Sequence, residues 1–178
     1  RGLGVCPLRA ATKQTASESG IFYMYTRIME LPAGEQVTLV PTGPLTNIAL
    51  LLGTFPEVRQ RIEQIVLMGG SSSGGNVTPA AEFNIWADPE AAHMVFGAGL
   101  PIVMCGLDVT LKSGLDGAQI EKLCQSDRKV EQACGQMLSF YLNTTRHEGE
   151  ENMVAIHDAV TILFLTDPDL FSGKNAAV

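Results

Sequence analysis

Three polar side chains follow a glycine-rich loop at a spacing that suits the binding of hydroxyl groups. Asn76, Glu82 and Asn84 stand close together in the sequence, with the aromatic Phe83 between the last two. A carboxylate accepts hydrogen bonds from two neighbouring hydroxyls at once, and a carboxamide both donates and accepts. The pattern therefore predicts a binding site for a polyol, most simply a sugar. Spacing alone fits equally well a solvated loop in which Glu82 and Asn84 bind their own backbone.

Two other stretches carry groups that could complete such a site. Pro41-Thr-Gly-Pro-Leu-Thr-Asn47 follows a short β-branched segment, and His157-Asp158 precedes an apolar helix. The loop that carries Glu82 follows the apolar run 65–68 in the same way. Open α/β sheets bind ligands at the carboxyl ends of their strands. We therefore expect these three clusters to meet at one edge of a sheet.

Each candidate residue also has a purely structural interpretation. Asp158 can serve as the N-cap of the helix that follows it. His157 can be a helix-start histidine whose ring nitrogens bind their neighbours, and Met68 can be an ordinary core residue. The glycine-rich loop 69–75 resembles a phosphate-binding loop only weakly, because it lacks G-x-G-x-x-G spacing and no lysine follows it.

Short apolar strands alternate with helices along the chain. Strands are predicted at 37–41, 65–68 and 101–107. Helices are predicted at 21–30, 57–62, 88–96, 116–125, 128–145 and 159–165, and the turn 42–47 opens a further helix that buries residues 48–52. This alternation favours an α/β fold class with a mostly parallel sheet and helices on both faces, in one domain spanning residues 1–178.

The predicted helix 128–145 carries an apolar stripe at helical spacing. We expect this stripe to belong to the core rather than to a binding site. Its members are Val130, Ala133, Met137, Leu138 and Tyr141. The polar stretch 143–152 that follows predicts a loop.

Composition narrows the classes of partner. The chain has 178 residues, of which 46% are hydrophobic and 17% charged, and its net charge is −7. No cluster of lysine and arginine appears, so nucleic acid is not an expected partner. The longest apolar runs, 48–52 and 159–165, are far shorter than a membrane span, so we expect no membrane association.

The four cysteines are scattered through the chain. Cys6, Cys105, Cys124 and Cys134 form no C-x-x-C pair. Isolated thiols of this kind are more often packed and reduced than paired or metal-bound, and a reducing compartment such as the cytoplasm fits them best.

The stretch from Leu67 to Ala92 closely resembles the inosine–uridine-preferring nucleoside hydrolases. It contains Leu-Met-Gly-Gly, then Gly-Asn, then Ala-Glu-Phe-Asn-Ile-Trp-Ala-Asp-Pro-Glu-Ala-Ala. Three further motifs follow that family's order at similar separations: Pro41-Thr-Gly-Pro-Leu-Thr-Asn47, Gly106-Leu-Asp-Val-Thr110 and Val154-Ala-Ile-His-Asp158. The resemblance implies a nucleoside hydrolase-like, Rossmann-like fold. It also implies hydrolysis of the N-glycosidic bond of a ribonucleoside to ribose and a free base.

In that family a calcium ion at the bottom of the pocket activates the attacking water and contacts the ribose diol. Oxygen ligands suit calcium, and a bound metal lowers the pKa of its water. The resemblance implies that Asp158 is a calcium ligand and that Thr42 contributes its main-chain oxygen. It also implies that His157 protonates the departing base, a role that suits a side chain titrating near neutral pH.

The sugar-binding residues come from the same comparison. Asn76, Glu82 and Asn84 resemble the ligands of the ribose hydroxyls, and Met68 and Phe83 resemble the residues against the sugar. Asp108 follows a strand end, and the family pattern gives it no clear catalytic role. Homodimers or homotetramers are expected by the same resemblance. Purine or pyrimidine preference would be decided around 143–156, where no aromatic stack settles the choice.

The family's amino-terminal cluster Asp-x-Asp-x-x-x-Asp-Asp does not occur in this sequence. That cluster supplies most calcium ligands and the general base, and the family's last strands are also missing. We therefore expect a central part of a nucleoside hydrolase, incomplete at both ends. One carboxylate and one carbonyl cannot fill the six to eight oxygen positions of calcium. The hypothesis is that the 178-residue chain alone is inactive and only marginally folded.

Two other functions remain open at this point. A non-catalytic module that binds a ribonucleoside or sugar would use the same Asn76, Glu82 and Asn84 side chains. An oxidoreductase that binds a dinucleotide would share the sheet, but the glycine fingerprint and its acidic ribose ligand are missing.

Overall fold

The computed structural model describes residues 4, 6, 8, 12–144 and 153–176. The chain divides into two compact units. The larger unit comprises Ala16–Thr110 and His157–Val178, and the smaller unit comprises Arg1–Thr15 and Leu111–Ile156. That residues 1–178 form a single domain stays a prediction.

The elements follow one another as alternating helices and short strands. The strands are β1 Val37–Leu39, β2 Ile62–Met68, β3 Ile102–Cys105, β4 Gly114–Asp116 and β5 Met153–Ala155. The α-helices are α1 Gly20–Met29, α2 Thr46–Thr54, α3 Phe83–Ala87, α4 Pro89–Phe96, α5 Leu107–Thr110, α6 Gly117–Cys124, α7 Lys129–Thr144 and α8 Ala159–Thr166. Short 3₁₀ helices span Pro56–Arg61 and Pro168–Leu170.

The larger unit is built on a parallel sheet in the order β1-β2-β3. Strand β2 lies in the centre of the sheet. Its register with β3 runs from the pair Ile65–Ile102 to the pair Met68–Cys105. Its last four residues are all buried, as expected for a parallel strand covered on both faces.

Apolar side chains cover both faces of this sheet. Because successive side chains on a strand point to opposite faces, Ile65 and Leu67 pack with α1, α2 and α4, whereas Val66 packs with Val160 of α8. Phe164 of α8 packs against the same second cluster. Helices therefore lie on both faces of a parallel sheet, as predicted.

The smaller unit pairs two helices with a two-stranded ribbon. Helices α6 and α7 approach closely at Gly135, where an added Cβ would lie 2.6 Å from the main-chain nitrogen of Cys124. Strands β4 and β5 pair antiparallel, with Leu115 opposite Val154. Asp116 and Gln119 form a reciprocal capping box that starts α6.

Several elements differ from the predictions in ways that follow from their length. Helices α3 and α5 and strands β4 and β5 are too short to produce a periodic apolar pattern, and the sequence did not predict them.

The expectation that the whole stripe on α7 is core was wrong, since Val130 is 72% and Tyr141 is 52% exposed. The predicted loop 143–152 begins within α7, and residues 145–152 lie outside the described residues.

Within the described ranges, no helix combines the length and apolar character needed to cross a lipid bilayer. The cysteines are free thiols, and Cys105 is buried at the end of β3.

Two adjacent leucines on α2 test where the core lies. Leu51 is fully buried, whereas Leu50 is 51% exposed. Leu51→Ala should lower the free energy of unfolding by about 2–5 kcal/mol, because it leaves a cavity between α2 and the sheet. Leu50→Ala is the matched control and should change it by about 0.5 kcal/mol or less. Urea unfolding of the full-length protein measures both, and equal losses would contradict this packing.

Candidate active site

The loop that leaves β2 depends on glycines at two close approaches. Gly70 has a φ of +71°, and an added Cβ would lie 2.8 Å from the sulfur of Met104. A Cβ on Gly75 would lie 2.2 Å from the carbonyl oxygen of Ala81. These positions therefore require residues without a side chain, which accounts for two of the glycines in the loop.

The buried carboxylate of Glu82 fixes both ends of this loop. Glu82 is only 3% exposed. Its Oε2 atom accepts hydrogen bonds from the N–H groups of Gly70 at 3.0 Å, Asn84 at 2.9 Å and Ile85 at 3.2 Å. Glu82 is thus the N-cap of α3 and joins the start of the loop to its end. This is the backbone-binding role that the sequence left open, and it involves one of the two carboxylate oxygens.

The two asparagines are held by neighbouring backbone groups. The side-chain nitrogen of Asn84 donates to the carbonyl oxygen of Met68 at 3.0 Å and lies 3.3 Å from its sulfur. The side-chain oxygen of Asn76 accepts from the N–H of Phe83 at 2.9 Å. Asn84 and Met68 are buried, whereas Phe83 is exposed and lies beside Trp86, with 6.4 Å between the ring centroids.

His157 and Asp158 enter the larger unit at the start of α8. The Nδ1 atom of His157 lies 2.8 Å from the hydroxyl oxygen of Thr110, which is fully buried on α5. Asp158 occupies the N-cap position of α8, yet its side chain makes no capping hydrogen bond. Its main-chain oxygen instead accepts from the hydroxyl of Thr161 at 2.6 Å. The Asp158 carboxylate is therefore not used as a helix cap.

Electrostatics links Asp158 to two other predicted site residues. Partial burial raises the pKa of the Asp158 carboxyl, and repulsion by the Glu82 carboxylate raises this pKa further, while His157 opposes the shift. Hydrogen bonds connect the elements that carry these residues. Thr110, the neighbour of His157, lies on α5, and the N–H of Leu107 on α5 donates to the carbonyl oxygen of Gly70 at 2.9 Å. The N–H of Gly70 in turn donates to Glu82.

Thr42 lies at the neighbouring strand end. The carbonyl oxygen of Pro41 accepts from the N–H of Met68 at 3.0 Å, which extends the pairing of β1 and β2 by one bond. Thr42 follows directly and is exposed. Its main chain thus leaves the sheet beside the residue from which the glycine-rich loop departs.

Asp108 and Asp88 have structural roles around this site. The Oδ1 atom of Asp108 accepts from the N–H of Ser72 at 3.2 Å and so holds the glycine-rich loop to α5. Asp88 caps α4 through the N–H of Ala91 and accepts the hydroxyl of Thr46. The hydrogen bond from the Thr46 hydroxyl is the main reason that the pKa of the Asp88 carboxyl is lowered, and the hydrogen bond from the Ala91 N–H lowers this pKa further. These bonds fix the loops that carry the candidate residues.

Thr110 is a site neighbour that the sequence did not predict as functional. Its hydroxyl stands alone at the end of the four-residue helix α5, and the residue that it contacts, His157, lies 47 positions later in the sequence. The motif Gly106-Leu-Asp-Val-Thr110 pointed to this turn, but no local pattern pointed to the hydroxyl.

The fit of a calcium ion can be tested on the donors present. In the part of the chain that the structure describes, no group of three or more His, Cys, Asp or Glu residues could hold a metal. The Asp158 carboxylate and the Thr42 carbonyl would supply two of the six to eight oxygens that calcium takes. The described residues therefore do not make a complete calcium site.

The whole chain, residues 1–178, matches the family model described as inosine-uridine preferring nucleoside hydrolase. The chain belongs to this family. Its members generally use a metal ion. A pyrimidine-specific ribonucleoside hydrolase RihA of Photobacterium profundum is 51% identical over 148 residues, covering 82% of this chain and 47% of the relative.

Solved nucleoside hydrolases share the fold. The plant nucleoside hydrolase PpNRh1 matches with a TM-score of 0.87 and 31% identity, over 96% of this chain and 54% of that one. A purine-preferring ribonucleoside hydrolase from Gardnerella vaginalis matches with a TM-score of 0.86 and 32% identity, over the same shares. The predicted α/β fold class and the resemblance to this family are confirmed. The chain spans about half the length of the relatives it matches.

The role of Glu82 as a cap can be separated from the role of its charge. Glu82→Ala removes the acceptor of three N–H groups and should lower the free energy of unfolding by about 1–3 kcal/mol. Glu82→Gln retains an acceptor oxygen, so it should cost clearly less. Chemical denaturation of both variants of the full-length protein provides the comparison. Equal losses would show that the three hydrogen bonds do not depend on an acceptor oxygen at this position.

Proposed function

We propose that the full-length protein hydrolyses the N-glycosidic bond of ribonucleosides and releases ribose and a free base. The observation that carries this proposal is a chain of hydrogen bonds at the end of β2: Thr110 contacts His157 and lies on α5, Leu107 of α5 donates to Gly70, and Gly70 donates to Glu82. Membership in the nucleoside hydrolase family supports the same reaction.

Asn76, Glu82 and Asn84 are the proposed ligands of the ribose hydroxyls. Each of the three is already fixed by a hydrogen bond to the backbone of the loop or of β2. Side chains held before the sugar arrives lose little freedom on binding, which favours both affinity and correct orientation. Phe83 and Met68 are the proposed apolar contacts of the sugar.

His157 is the proposed acid. As the bond between C1′ of ribose and the base nitrogen breaks, its electron pair moves onto the base, which takes a proton from the His157 ring. A water oxygen forms the new bond to C1′ and loses one proton to the solvent, and His157 regains a proton from the solvent. Positive charge develops on the ribose ring as the base departs. The negative charges of Glu82 and Asp158 favour that charge electrostatically.

Calcium is the proposed metal, with the Asp158 carboxylate and the Thr42 main-chain oxygen among its ligands. The Asp158 carboxylate suits this role because it makes no capping hydrogen bond. These two donors do not complete a site.

Pyrimidine ribonucleosides are the proposed preferred substrates. The support is the 51% identity with a relative named a pyrimidine-specific ribonucleoside hydrolase. Uridine and cytidine should accordingly be better substrates than inosine.

Ribose release by the full-length protein in calcium-containing buffer tests the proposed function. Uridine, cytidine and inosine are supplied separately, and ribose is measured as reducing sugar. Asp158→Asn should lower kcat by about 10²-fold or more, since it removes a charge that favours the transition state. Asp169→Asn, at an exposed position in the 3₁₀ helix Pro168–Leu170, is the control and should leave kcat within about twofold.

One outcome would contradict the proposed hydrolase activity, and another would contradict the hypothesis that the calcium site of the 178-residue chain is incomplete. Bound nucleoside without ribose release, unchanged by Asp158→Asn, would indicate the non-catalytic binding module. The 178-residue chain alone should release no ribose and should bind no calcium at micromolar concentration by calorimetry. Turnover together with micromolar calcium binding by this chain would refute the hypothesis that its site is incomplete.

A further inference from the structure

The hydroxyl of Thr110 is a polar neighbour of the proposed catalytic acid, His157. Thr110 is fully buried, and its hydroxyl oxygen lies 2.8 Å from Nδ1 of His157. The two residues lie far apart in the sequence, so the contact arises from the packing of α5 against the start of α8.

The turn that carries Thr110 is itself firmly held. The N–H of Thr110 donates to the carbonyl oxygen of Gly106 at 3.0 Å, and the N–H of Leu107 donates to that of Gly70 at 2.9 Å. Asp108 adds the bond to the N–H of Ser72. A hydroxyl on this turn therefore has little freedom to follow a moving partner, and it can fix the position of the imidazole.

The chemistry of the contact determines which ring nitrogen is left for the substrate. A threonine hydroxyl can donate to an unprotonated Nδ1 or accept from a protonated one, so it holds that nitrogen in either state of the ring. With Nδ1 held by Thr110, Nε2 is the nitrogen from which a proton can pass to the base. The partner of one ring nitrogen commonly sets the orientation and tautomer of the whole ring.

We propose that Thr110 is a positioning residue for His157. It holds the imidazole through Nδ1 so that Nε2 presents its proton to the departing base. This inference rests on the proposed function, because it needs His157 to act as the acid. A purely structural role is the alternative, since a buried hydroxyl needs a hydrogen-bond partner in any case.

Two substrates that differ in their need for an acid separate these roles. Uridine has a poor leaving group that needs a proton, whereas p-nitrophenyl β-D-ribofuranoside releases a stable phenolate that needs none. In the full-length protein, Thr110→Val should lower kcat for uridine by about 10-fold or more, the usual size of losses when the orienting partner of a functional histidine is removed. The kcat for the nitrophenyl riboside should stay within about threefold, and His157→Ala should show the same selectivity more strongly.

Thr161→Val is the matched control. Thr161 is also fully buried, and its hydroxyl donates to the main-chain oxygen of Asp158 rather than to the His157 imidazole. This variant should lose stability as Thr110→Val does, but the ratio of the two kcat values should remain that of the wild type. If Thr110→Val does not fold, Thr110→Ser is compared with Thr110→Ala. Both variants lack the methyl group of threonine, and only serine keeps the hydroxyl. Thr110→Ser should then keep the wild-type ratio and Thr110→Ala should lose uridine hydrolysis selectively.

The outcomes distinguish this inference from the proposed function. Equal losses on both substrates in the Thr110 variants, or no loss on either, would overturn the positioning role while leaving the hydrolase intact. A wild-type protein that releases ribose from neither substrate would overturn both. A selective loss in Thr110→Val that is absent in Thr161→Val supports the positioning role.

Discussion

The buried carboxylate of Glu82 is the interaction on which the candidate site depends. Taking a carboxylate out of water is costly unless hydrogen bonds replace those of the solvent. Three backbone N–H groups, from Gly70, Asn84 and Ile85, supply these bonds. The same atoms start helix α3 and close the glycine-rich loop. Without this carboxylate, the N–H groups of Gly70, Asn84 and Ile85 would lose their shared acceptor.

The negative charge that organises the loop also shapes the chemistry of its surroundings. Partial burial is the main cause of the raised pKa of the Asp158 carboxyl, and repulsion by the Glu82 carboxylate adds to it. Two carboxylates that repel one another favour a positive charge placed between or beside them. A ribose ring that becomes cationic as its base departs satisfies this requirement, and so does a bound cation. The proposed reaction therefore develops its positive charge where two negative charges favour it.

Features that depend on long or strongly marked patterns could be predicted from the sequence. The apolar run that ends at Met68 predicted the central strand, and Asp88 with Pro89 predicted the start of α4, where Asp88 does cap the helix. Helix α3 could not be predicted in this way, because five residues leave no periodic signal and its start depends on the side chain of Glu82. The apolar spacing on α7 predicted a fully buried stripe, yet Val130 is exposed, since spacing specifies a face and not its partner.

The same distinction applies to the candidate site: some of its features have a local sequence pattern and others do not. Individual residue types indicated a sugar-binding loop and a histidine–aspartate pair, whereas their proximity depends on the order of strands and the packing of α8. The contact between Thr110 and His157 is the clearest example, because no local signal connects a threonine on one helix with a histidine before another. The double role of Glu82 also needed coordinates, since spacing fitted a sugar ligand and a backbone cap equally well.

We propose that Glu82, Asn76 and Asn84 share one ribose-sized hollow with His157 and Asp158. A crystal structure of the full-length protein with ribose bound tests it most directly. In that structure, ribose hydroxyls should lie within hydrogen-bond distance of the Glu82 carboxylate and the two carboxamides, with C1′ facing His157. Ribose bound at another place, or Glu82 and Asp158 carboxylates on opposite sides of the sheet, would contradict it.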